Sequence, residues 1–173
     1  MNLSYPIGEF AAKPVINESE RQALIASLAE TPTRLQAAIA GLTQEQLETP
    51  YRPEGWTVRQ TVHHLADSQV NGYIRFKLGL TEETPTIKPY AEKLWAELAD
   101  GQCADTGISL QLLDAVHQRW TFLLHATPPE AFARQIRHPE YGEMSLDTVL
   151  QLYEWHARHH LAHITSLRQR QHW

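Results

Sequence analysis

The sequence predicts an all-α fold, a four-helix bundle with a long connection between its second and third helices. Three observations carry that expectation. Four long segments repeat apolar residues at helical spacing, most are bounded by capping or helix-breaking residues, and no segment alternates strongly enough to call a sheet.

The first segment runs from about Ser19 to Leu42, with Leu24, Ile25, Leu28, Leu35 and Ile39 in register and Asn17 or Ser19 as candidate caps. Pro32 falls inside it, which predicts a kink or break. The second runs from Thr57 to about Leu80. Thr57 and Gln60 have capping-box spacing, Gly55 supplies a turn before them, and Val58, Val62, Leu65, Val70, Ile74 and Leu78 form the stripe.

Residues 82–108 read as irregular, with one short helix around Ala91 to Leu98. A connection of that length permits a crossover rather than a tight hairpin. The third helix spans Ser109 to about His125 and stops at Pro128-Pro129. A short helix over Glu130 to Ile136 and a turn over His138 to Gly142 follow. The Tyr5 arm and residues 134–143 are the places for a short strand. The fourth helix spans Ser145 to about Gln169, with Ser145 as N-cap and Asp147 in the first turn.

The chain has 173 residues, of which 42% are hydrophobic, which fits one domain over 1–173 with a single core. It has no run of 18 apolar residues, and MNLSYPIGEF lacks the basic and apolar regions of a signal peptide. Cys103 is the sole cysteine, so a disulfide framework is excluded and a reducing cytoplasm is the expected location. A formal charge of -5 argues against general nucleic-acid binding, which needs a basic surface. Neither a Gly-rich phosphate loop nor a Gly-x-Ser-x-Gly elbow is present.

Histidine is the unusual residue: 10 in the chain, four of them between His156 and His163. The second helix carries His63-His64-Leu-Ala-Asp67, and the fourth carries His156-Ala-Arg-His159-His160-Leu-Ala-His163. Residues four apart lie on one face of an α-helix, one turn apart. The fourth helix therefore offers two chelating pairs, His156/His160 and His159/His163. A third imidazole from another helix would complete a three-nitrogen face and leave a coordination position open, the mark of a catalytic site. His117, His125, His138 and His172, taken singly, read as ordinary hydrogen-bonded polar residues. A cluster of four does not read that way, because Glu, Lys and Arg solubilise a helix with better propensity.

Asn71 and Arg75 lie within about 20° of His64 on an ideal helical wheel, and Asp67 about 60° away. Arg75 could grip a substrate carboxylate in a bidentate contact, and Asp67 could orient an imidazole through its second nitrogen. Equally available are a surface salt bridge for Arg75, a helix-face charge for Asp67 and a polar bundle contact for Asn71. Trp56, Trp120 and Trp155 read as core.

Several stretches together resemble the DinB/YfiT-like superfamily, and closely its YfiT branch. They are Asn2-Leu-Ser-Tyr-Pro-Ile-Gly8, Gly55-Trp-Thr-Val-Arg-Gln60, His63-His-Leu-Ala-Asp67, Tyr73-Ile-Arg-Phe-Lys77, Thr81-Glu-Glu-Thr-Pro85, and Trp155 with the histidine run. The resemblance implies a four-helix bundle holding zinc or nickel through His64, His159 and His163, and a cytoplasmic homodimer. It also implies either a metal-dependent hydrolase or a transferase that attaches a low-molecular-weight thiol, such as bacillithiol, to an electrophile. Thiol transfer is the preferred expectation, because no general base is evident beside the histidines and a thiol ionises more readily than water. Asn71 and Arg75 are then the candidate binders of thiol or substrate. A metal-binding stress protein without turnover is the competing expectation.

Overall fold

Side-chain caps set where the helices begin. The Asn17 side chain accepts from the Glu20 N–H while the Glu20 carboxylate accepts from the Asn17 N–H, so α1 (Glu18–Ala29) starts with a full capping box. Glu30 interrupts the helix, and α2 (Thr31–Ile39) resumes with Pro32 in its first turn, where a missing N–H costs nothing. Of the expected kink or break, the structure has the break. A one-turn helix, α3 (Gln44–Leu47), follows.

Thr57 and Gln60 form the anticipated box at the head of α4 (Val58–Thr81). The connection that follows contains two short helices, α5 (Glu92–Ala96) and α6 (Ala99–Cys103), where one was expected. α7 (Thr106–Ala126) begins three residues before the expected Ser109, because Asp105 caps it by accepting from the Gly107 N–H.

The expected helix over Glu130 to Ile136 is a 3₁₀ turn (Pro129–Ala133) that gives way to a strand. β1 (Gln135–His138) pairs antiparallel with β2 (Gly142–Ser145), Ile136 opposite Met144. Both side chains are buried, and Gly142 at φ +73° supplies the left-handed turn conformation. The crossover adds to this hairpin: the Ile87 N–H donates to the Arg137 carbonyl and the Arg137 N–H to the Pro85 carbonyl. Ser145 caps the last helix, α8 (Leu146–Gln171), by accepting from the Thr148 N–H.

The computed structural model describes residues 2–173, and its long helices form a four-helix bundle. α4 packs on both α7 and α8, and so do α1 and α2. The first and second long segments therefore stand mainly across a diagonal, and it is the long crossover that joins neighbours.

Two apolar clusters fill the bundle. One gathers Ile25, Leu28, Phe76, Trp120, Leu124, Phe132, Leu150 and Tyr153. The other gathers Leu35, Val58, Val62, Leu65, Leu113, Ala157, Ile164 and Leu167. Both clusters draw on α4, α7 and α8, and buried polar residues sit between them along those helices: Ser68 and Gln69 on α4, His117 on α7, Glu154 on α8. No helix among the described residues is long and apolar enough to cross a membrane.

Candidate metal centre

Only one α4 histidine is free to face α8. His63 is occupied: its Nδ1 meets the Ser109 hydroxyl at 2.7 Å and its Nε2 the Ala104 carbonyl at 3.2 Å, so it secures the start of α7. His64, one position on and turned about 100°, presents its Nε2 to His156 Nε2 at 3.4 Å. His160 Nε2 reaches the same His156 nitrogen at 3.1 Å. His64, His156 and His160 each offer one ligand atom, all within 4.8 Å of one another.

The imidazoles that meet His64 are therefore not the pair that the resemblance implies. His159 and His163 do form an i,i+4 pair, with Nε2 atoms 2.9 Å apart, but they meet each other rather than His64. They lie about 60° round α8 from His156 and His160. That face is covered by other groups: His159 stacks on Trp155 and lies near Tyr5, while His163 stacks on Tyr51 and lies by the Leu3 backbone. Arg52 and Arg170 also stand near His163 and disfavour positive charge there. The face of α8 turned toward α4 decides which pair meets His64.

The three convergent imidazoles suit a divalent ion. A tetrahedral ion with metal–nitrogen bonds of about 2.0–2.1 Å has ligand atoms about 3.3 Å apart; the two resolved separations are 3.4 and 3.1 Å. Burial lowers the pKa of His64 to about 4 and pushes His156 and His160 well below the ordinary value, the latter two lowered further by their histidine neighbours. All three are therefore neutral at pH 7, as ligands must be. Three imidazole nitrogens from two helices turned on one point are the donor set that a divalent ion takes. Trp56 covers it, 4.4 Å from the His64 ring and stacked at 6.2 Å on His160.

The other expected residues divide. Asp67 is half-buried, and burial with the charge of Asp100 raises its pKa to about 6; no hydrogen bond offsets this among the described residues. Its carboxylate is not the orienting partner of a ligand imidazole. That place falls to Ser68, whose Oγ lies 3.4 Å from His156 Nδ1. Asn71 donates from Nδ2 to the Asp67 carbonyl at 2.8 Å. Arg75 donates to the Tyr153 hydroxyl at 2.7 Å and to the Lys88 carbonyl at 3.1 Å, so it ties the crossover to α4 and α8. Ser68 and Tyr90 join the site beyond the residues expected from the sequence. Ser68 was findable, four residues beyond His64 and so on its face; Tyr90 gave no signal, because only the folded crossover brings it to Ser68.

A helical bundle with three imidazoles from two helices turned on one point defines a class of metal-site proteins. The DinB superfamily model matches residues 27–164. The chain is 51% identical to "Putative metal-dependent hydrolase YfiT" of Bacillus subtilis, covering 100% of this chain and 98% of that one. A protein named as a putative metal-dependent hydrolase from Bacillus cereus is also 51% identical, over 99% of both chains. A solved structure of Bacillus subtilis YfiT, described as "a probable metal-dependent hydrolase with an unusual four-helix bundle topology", superposes with a TM-score of 0.97 at 50% identity, covering 100% of this chain and 99% of that one. The chain belongs to the DinB superfamily, in its YfiT branch.

Proposed function

We propose that this protein is a metal-dependent hydrolase whose divalent ion, zinc or nickel, is held by His64, His156 and His160. The observation that carries the reading is the convergence of three neutral Nε2 atoms at 3.1 and 3.4 Å. A bound ion would supply Lewis-acid chemistry, lowering the pKa of a water or thiol enough to provide a nucleophile near neutral pH.

The chain's own residues supply the rest. The expectation of thiol transfer rested on the lack of a general base, and Asp67 is a candidate for that role. It is a half-buried carboxylate one helical turn from His64 with a pKa raised to about 6, suited to accepting a proton from the nucleophile. Trp56 shields the ligand rings from water. Asn71 keeps its carboxamide oxygen, and Arg75 its remaining N–H groups, for a polar substrate. The protein acts as a homodimer, and sedimentation velocity should return twice the mass of the chain.

Thiol transfer is the second reading, favoured by one feature. All three ligands are neutral, so the ion keeps its full charge and prefers an anionic sulfur more than a carboxylate-ligated site would. Zinc- and nickel-loaded protein, assayed on simple esters and amides and then on a generic electrophile with bacillithiol, glutathione or cysteine, separates the two. Turnover that requires a thiol overturns the hydrolase reading; turnover with water alone supports it. No metal-dependent turnover in either arm, with stoichiometric metal bound, rejects both and leaves a binding protein.

A further inference from the structure

A metal ligand needs its bare nitrogen on the ion and its proton on the other ring nitrogen, and the group that accepts that proton's hydrogen bond sets the tautomer. Among the three ligands, His156 has a side chain in that position: Ser68 Oγ, 3.4 Å from Nδ1. His160 Nδ1 is buried with no partner among the described residues.

Ser68 is buried one turn along α4 from His64, and the Tyr90 phenol of the crossover lies beside it. A hydroxyl oxygen has two lone pairs. Burial holds the Tyr90 phenol neutral, well above its ordinary pKa, so it can donate one hydrogen bond to Ser68. The His156 Nδ1–H can donate the other.

Tyr90 is no chance neighbour. It lies two residues after Lys88, whose carbonyl Arg75 grips, and three after Ile87, which is bonded to the β-hairpin. Trp95 of α5 packs on its ring at 4.6 Å. The crossover is thus pinned so that its one phenol faces α4 and α8.

We propose that Ser68 and Tyr90 are positioning residues that hold His156 as the Nδ1–H tautomer and thereby tie the affinity of the metal site to the fold of the α4–α7 crossover. This rests on the metal reading above, but makes its own statement about the metal-free protein. With Nδ1 protonated, His156 Nε2 is an acceptor, and His160 donates to it across 3.1 Å from its own Nε2–H. The bare His160 Nδ1 then explains why that atom lacks an acceptor.

The test uses the full chain with Ser68→Ala and Tyr90→Phe. Competition titration with a chelating dye gives the zinc Kd, and long-range imidazole ¹⁵N spectra of metal-free protein give the tautomers. Losing such a partner costs about 10–100-fold in metal affinity. At 3.4 Å the bond is at the long end, so Ser68→Ala should weaken zinc about tenfold and Tyr90→Phe by less. In the wild type His156 should read as Nδ1–H, and in Ser68→Ala as a mixture. Both Kd values within twofold of wild type, or a wild-type His156 protonated on Nε2, overturns the proposal. If wild type fails to bind stoichiometric metal, the metal reading falls, and the ¹⁵N spectra still decide the tautomer. If Ser68→Ala does not fold, Tyr90→Phe carries both measurements.

Discussion

Gly72 is where packing reaches the metal centre, and replacing it with alanine measures how tightly. A Cβ there would lie 2.6 Å from Tyr153 Cδ1 and Cε1 and 2.7 Å from Trp120 Cη2. Carbon atoms pack at about 3.5–4.0 Å, so two buried aromatic rings must retreat by about 1 Å, and both belong to the same apolar cluster. Overpacking of this kind costs about 1–3 kcal/mol. Alanine recovers up to about 1 kcal/mol of helix propensity relative to glycine. With the full gain realised, the net loss is at most about 2 kcal/mol, a fall in Tm of up to roughly 8 °C for a chain of this size. In an exposed helix the same change would raise Tm, so the sign is diagnostic. Tyr153 precedes His156 by three residues and receives the Arg75 hydrogen bond, so the shift should also weaken zinc binding. Thermal melts at 222 nm on metal-free protein and a zinc titration are the two assays. A higher Tm would refute the close α4–α8 approach, and with it the geometry that brings His64 to His156.

Four other outcomes are expected. His156→Ala and His160→Ala should lose stoichiometric metal while His159→Ala and His163→Ala keep it; metal analysis showing the reverse would restore the ligand set implied by the resemblance. Chelating the metal should lower Tm, because an ion bound only by the folded chain stabilises it; identical melts with and without chelator would contradict a folded-state site. His117, buried with its Nδ1 on the Leu28 carbonyl, has its pKa lowered to about 4 by burial. As pH falls the unfolded chain takes up that proton first, so the contribution is complete above about 6.5 and is lost toward pH 4, about 3 kcal/mol in all; urea melts from pH 7 to 4.5 should show it, and His117→Phe should flatten the slope. Asp67→Asn should reduce kcat by about 10²–10⁴-fold at unchanged metal content, while Asp100→Asn, by removing the repulsion that raises Asp67, should move the acid limb of the pH–rate profile to lower pH; a limb that moves upward would contradict Asp67 as the base.

The sequence by itself determined the helices, because caps and apolar spacing are local: Thr57 with Gln60, Ser145 and the stripe from Val58 to Leu78 fix α4 and α8 without reference to anything distant. It also determined that a metal site was in prospect, since four histidines in eight residues have no better local use. The choice between His156/His160 and His159/His163 was not local. The two pairs are equally well spaced and only about 60° apart on the helix, so the answer depends on which face of α8 turns toward α4. Gly72 and Tyr153 set that in the tertiary packing. The neighbours of the site were settled in the same way. Asp67 acquires its raised pKa from burial and from Asp100, thirty-three residues on. Arg75 becomes a tie for the crossover, and Tyr90 reaches Ser68 only once that crossover has folded back over α4.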